Sequence, residues 1–149
     1  MRFSSSLFVT ALLLSSSVFA DDSLKLDLAA KSFAPQKAAV LNAVNVDQKY
    51  SEIEPVKRDA VIKALERISE MLSEEKPFSS IDAANREHVL ADQQLINSAL
   101  EQAKRDSKMI CAKEAVIGSN LPKRICKTAA ARNRDNARVR NQNGTEISQ

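Results

Sequence analysis

Between Pro55 and Pro77 the apolar residues Val61, Ala64, Leu65, Ile68, Met71 and Leu72 recur three and four positions apart, a spacing that gathers them on one face of a helix. Pro55 suits a first turn, where a missing N–H costs nothing, and Pro77 ends the run. A longer helix is expected from about Ala83 to Asp106, with Val89, Ile96, Leu100 and Ala103 as its buried stripe and Glu87, Gln94, Glu101 and Lys104 mostly outside. Neither helix can hide its stripe alone, so the two should pack as an antiparallel hairpin. A shorter helical run extends from Pro35 to about Val46, through Ala38, Ala39, Val40, Leu41, Ala43 and Val44. Ahead of it Leu24, Leu26 and Leu28 alternate with polar residues, but no partner strand is evident, and residues 21–34 read as a flexible lead.

After Asp106 the period changes. Met109–Ile117 and Lys123–Thr128 read as two strands on either side of Gly118-Ser119. A two-residue turn centred there, with glycine first as a type II′ turn requires, places Cys111 opposite Cys126. Pro122 would then occupy a ladder position with no N–H to give, so an irregular or bulged loop is expected around it. Thr128 can cap a last helix beginning at Ala129-Ala130-Ala131 and fading into Asn141-Gln142-Asn143-Gly144-Thr145. With only 2 Gly and 4 Pro in the chain, breakers are too few for many short elements. The expectation is a mainly α fold: one small helical-hairpin domain over residues 35–128 that includes a disulfide-linked β-hairpin or loop, then a basic tail over 129–149, helical or partly disordered.

The N-terminus differs from all of this. Met1-Arg2 precedes an apolar run from Leu7 to Leu14, three serines, and Val18-Phe19-Ala20 ahead of Asp21-Asp22. One basic residue, a short apolar core and small residues at the first and third places before a cut make a cleavable secretory signal over residues 1–20. The run is too short for a membrane anchor, which needs about 20 apolar residues. No cysteine follows it to accept a lipid. The expected mature chain starts at Asp21, exported to the periplasm or secreted, with no integral membrane segment.

Export changes how the 2 cysteines are read. An even count in an oxidising compartment predicts that Cys111 and Cys126 pair, the alternative being two buried free thiols. With His88 the only histidine, the set falls short of the four ligands of a structural zinc, and no metal or cofactor is expected. A bridge closing a loop of about 15 residues stabilises by about 3 kcal/mol.

Charge and aromatic content narrow the function classes. Residues 21–122 carry 14 Lys+Arg against 17 Asp+Glu, whereas residues 123–149 carry 7 against 2, so the basic character sits in the tail and the whole-chain charge of +3 says little about a nucleic-acid partner. Past the signal the only aromatics are Phe33, Tyr50 and Phe78, too few to build a platform for stacking bases or sugars. Lys123, Arg124, Lys127, Arg132, Arg134, Arg138 and Arg140 form a candidate anion-binding set. Read plainly, they are a solvated end, interrupted by Asp135 and several Asn, and Val139 alone gives the last helix no apolar face for a membrane surface. On the long helix Asp92 and Gln93 fall on the apolar stripe, with His88 one turn before. A His–Asp pair with no nucleophile or third ligand specifies no chemistry. The plain reading makes Asp92 and Gln93 hydrogen-bond partners that fix how the helices dock, with His88 at the rim.

The segment Cys111, Gly118-Ser119, Pro122, Arg124, Cys126, Thr128 resembles a cysteine-bracketed motif of small exported proteins of Gram-negative bacteria with no known function. The similarity reaches upstream to Tyr50-Ser51-Glu52-Ile53, the helix of Arg58, Leu90-Ala91-Asp92-Gln93 and Ile96-Asn97. Proteins of this kind often carry an aromatic after the second cysteine and another before the Asp-Gln pair, where this chain has Ala129-Ala130-Ala131 and Leu90. The resemblance implies a periplasmic setting and a shared fold, and supplies no activity or catalytic residue; the Asn143-Gly144-Thr145 sequon then has no expected use. The functional expectation is a non-enzymatic interaction or envelope-accessory protein, its partner another envelope protein or an anionic surface. The alternatives are a module that binds an anionic partner through the basic C-terminal segment, and an enzyme built on His88 and Asp92.

Overall fold

The computed structural model describes residues 24–73, 75–115, 117–118 and 120–146; the export signal expected over residues 1–20 lies outside them. In chain order the elements are α1 (Phe33–Asn45), α2 (Pro55–Met71), α3 (Ala83–Asp106), β1 (Met109–Glu114), β2 (Lys123–Thr128) and α4 (Ala129–Glu146), with short 3-10 turns at Gln48–Tyr50 and Phe78–Ser80. This is the mainly helical fold with a disulfide-linked hairpin near the C-terminus that the periodicity predicts. Among the described residues no helix is long and apolar enough to cross a membrane.

Local chemistry sets the helix ends. Pro55 occupies the first turn of α2, and at the start of α3 the Asp82 carboxylate accepts from the Asn85 N–H at 2.9 Å, a cap that holds its pKa below the ordinary value. Lys104 and Arg105 lie in the last turn of α3, where cations complement the helix dipole. The two long helices form the helical hairpin, and their stripes make the core: Val61, Ala64, Leu65, Ile68 and Leu72 against Val89, Ile96, Leu100 and Ala103, all buried. Val40, Ala43 and Val44 of α1 close one side, while Ala38 and Ala39 face out. Tyr50 and Ile53 seal the α1–α2 connection.

The lead over residues 21–34 departs from expectation. From Leu24 on it is docked rather than loose: Leu26 and Leu28 are buried in the core, and Phe33 already starts α1. It is neither helix nor strand over 24–27 and turns at 28–30, and side-chain amides satisfy its backbone. Asn97 of α3 accepts from Leu26 N–H at 2.7 Å and donates to Leu26 C=O at 2.9 Å. Gln36 of α1 treats Asp27 the same way at 2.7 and 2.9 Å, and Gln93 accepts from Leu28 N–H at 2.9 Å. Irregular backbone can be buried only when its polar groups are satisfied, and three amides supply what a sheet neighbour would.

The hairpin departs in its turn. β1 and β2 pair antiparallel with Cys111 opposite Cys126, as expected, but the ladder closes at Glu114–Lys123, well before a two-residue turn at Gly118-Ser119 would be reached. Pro122, lacking an N–H, stands just outside the last rung, which accounts for the end of pairing. Gly118 takes φ +83° between the strands, a conformation that costs glycine nothing.

Candidate functional site

Among the described residues every buried hydrophobic lies at or before Ala103. From Met109 to Gln142 no described side chain is buried, although the chain there is regular. β1, β2 and α4 thus form an arm that leans on the helical body without entering its core.

Polar joints fasten the arm. Ala129 N–H donates to Lys108 C=O at 2.8 Å, turning the chain from β2 into α4, and Thr128 Oγ1 caps the new helix by accepting from Ala131 N–H at 3.1 Å. The same hydroxyl donates to Glu52 Oε1 at 2.5 Å, and Arg134 reaches Glu52 Oε2 at 2.9 Å. Arg134 and Thr128 together hold the Glu52 carboxyl below its ordinary pKa. Glu52 N–H donates to Ser107 Oγ at 2.9 Å, so this one residue ties the α1–α2 connection, the end of α3 and the base of the arm.

Register divides the hairpin into two faces. Ala112, Glu114, Ile125 and Lys127 turn toward α4, where Arg132 meets Glu114 at 3.4 Å and Lys127 meets Asp135 at 2.8 Å. The latter pair lowers the pKa of Asp135 and raises that of Lys127. The opposite face carries Cys111–Cys126, their Cα atoms 4.0 Å apart, with Lys113 directly across from Arg124 one pair further out; all four residues are exposed. Like charges facing each other across a ladder cost stability, and here the disulfide two residues away holds them together.

The seven basic residues expected to act as one set are therefore divided. Lys127, Arg132 and Arg134 are engaged with Asp135, Glu114 and Glu52. Lys123 and Arg124 project at the hairpin end, joined by Lys113, which sequence reasoning passes over because it precedes the basic segment. Arg138 and Arg140 are exposed along α4, Arg138 near Asp135. Beyond the cations the loop exposes Ile117 fully and Leu121 to 78%, two residues the sequence gives no reason to single out.

On α3, Asp92 is buried and its carboxylate takes both Nε, at 3.0 Å, and a terminal nitrogen of Arg67 from α2. His88 is exposed and shares no hydrogen bond with Asp92. Asp92 and Gln93 thus dock elements, and the structure does not join His88 and Asp92 into a unit. Two grooves lie elsewhere. One of about 720 Å³ opens beside Leu28, Phe33, Leu72, Phe78 and Arg86, whose guanidinium stacks over the Phe78 ring at 5.6 Å and is tied to the Ser79 and Ile81 carbonyls. The other, about 680 Å³, lies among Lys49, Glu101, Lys104, Arg105 and Lys108. Among the described residues no three His, Cys, Asp or Glu side chains are grouped to hold a metal ion.

Compared with family models, curated proteins and solved structures, the chain matches none of them.

Proposed function

We propose that the protein is an exported, periplasmic envelope-accessory protein that acts by binding, without catalysis, and that the arm is its recognition element. The observation that carries this reading is the arm itself. An ordered segment from Met109 onward adds nothing to the core, yet it is closed by a disulfide and pinned by ion pairs at Glu52, Glu114 and Asp135. A two-stranded hairpin with no buried face is marginal in water, so a staple that keeps it in shape serves a surface meant to meet something outside. The bridge also accords with an oxidising compartment.

Cross-linking in the native cell followed by pull-down tests this, comparing the mature chain with a C111S/C126S variant. The expected result is an envelope component captured by the mature chain and lost from the variant, whose body stays helical by circular dichroism. Undiminished capture by the variant would move recognition to the helical body. A chain ending at Thr128 then sorts the arm: capture that survives truncation belongs to the hairpin, and capture that is lost belongs to α4 and its arginines.

A further inference from the structure

Resting on that reading of the arm, we infer that the hairpin end docks on an anionic lipid surface, inserting Ile117 and Leu121 while Lys113, Lys123 and Arg124 engage the headgroups. The tip carries two exposed aliphatics: Ile117 is fully exposed and Leu121 is 78% exposed, the first three residues beyond the last rung on one strand and the second two residues before it on the other. Directly behind stand Lys113 and Arg124, paired across the ladder, and Lys123 on the last rung. None of the three makes a side-chain hydrogen bond or ion pair to another described residue. Glu114, the sole acid between Met109 and Thr128, shares the last rung with Lys123, but its carboxylate meets Arg132 on the α4 side; Lys113 and Arg124 stand on the opposite face, so the charge behind the tip is predominantly positive.

Spacing fits this occupant. Strand residues rise about 3.3 Å each, so along the chain Lys123 and Arg124 lie at most roughly 7–10 Å behind Leu121. Interfacial elements bury their apolar part roughly 5–10 Å into the headgroup and acyl boundary, which brings cations at that offset level with the phosphates. A projecting pair of aliphatics suits a fluid surface that deforms around it, whereas a protein partner would need a matching pocket. Single-stranded nucleic acid would ask for aromatic stacking, and residues 79–149 hold no aromatic at all. One weak apolar signal plus one basic signal is the combination that makes membrane binding stable and selective for anionic lipid.

The experiment is co-sedimentation of the oxidised mature protein with vesicles of phosphatidylcholine alone and of phosphatidylcholine mixed with phosphatidylglycerol. Binding is expected only to the mixed vesicles, and it should weaken as salt is added. Each cation near such a surface is worth about a five-fold factor, so K113Q/K123Q/R124Q should bind about 100-fold more weakly. I117S/L121S should lose about ten-fold or more. All five positions lie outside the core, and matched melting curves will show that the variants fold. No sedimentation with mixed vesicles, equal sedimentation with neutral ones, or unchanged binding by either variant overturns the proposal. If vesicle binding is absent while the cell still yields disulfide-dependent capture of a protein, lipid docking falls and the arm reading stands; if both are absent, both fall.

Discussion

Breaking the Cys111–Cys126 bridge should unfasten the arm and leave the body folded. The bridge spans 15 positions, for which loop-closure entropy gives about 3 kcal/mol. Set against it are the arm's remaining supports. Three ion pairs, none of them buried, contribute about 0.2–1 kcal/mol apiece, and the ladder buries no side chain. Losing about 3 kcal/mol therefore brings the hairpin close to an even balance of open and closed, and amide exchange should accelerate by about 100-fold. Among the described residues the 18 buried hydrophobics all precede β1, so α2 and α3 should keep their protection. Hydrogen exchange read by mass spectrometry on C111S/C126S resolves the two regions. Acceleration across α2 and α3 together with the hairpin would refute the reasoning, because it would mean that the staple holds one cooperative unit. An unchanged hairpin would refute it equally.

Other perturbations follow from the polar joints. Asn97→Ala deletes two hydrogen bonds and strands the Leu26 N–H beside the core, so it should destabilise by about 2–3 kcal/mol in chemical denaturation, far more than an exposed helix substitution. The folded-state pKa of Glu52 lies below its ordinary 4.5, so its stabilisation is complete above that value and is lost as pH falls through the lower one. Acidification below about pH 4.5 should thus loosen the base of α4, Asp135 adding in the same direction, and E52Q should lack the Glu52 part of that response when followed by amide exchange. His88→Ala should leave stability within about 0.5 kcal/mol and leave partner capture unchanged, since the ring is exposed and unbonded to Asp92.

What the sequence discloses follows the range of the interactions involved. The α2 and α3 stripes are legible because burial against one neighbour imposes a period, and with 2 Gly and 4 Pro little interrupts it. The Cys111–Cys126 register is legible because both residues are equidistant from the Gly118-Ser119 centre, even though Pro122 stops the ladder well before that centre. The docking of Leu26 and Leu28 is not legible: its partners, Asn97 and Gln93, lie 71 and 65 positions away and leave no periodic trace. The same holds for Glu52, whose bonds to Thr128 and Arg134 cross 76 and 82 positions. Sequence reasoning groups the basic residues by proximity in the chain, whereas the structure groups them by which acid each can reach. That is why Lys127, Arg132 and Arg134 leave the candidate site and Lys113 enters it.

The arm's role as the recognition element is tested most directly by placing a photo-cross-linking residue at Asn120, exposed in the hairpin loop, or at Lys63, exposed on α2, and irradiating living cells. The account predicts a defined adduct, with lipid or protein, from position 120 and none from position 63. An adduct from position 63 with none from position 120 would contradict it.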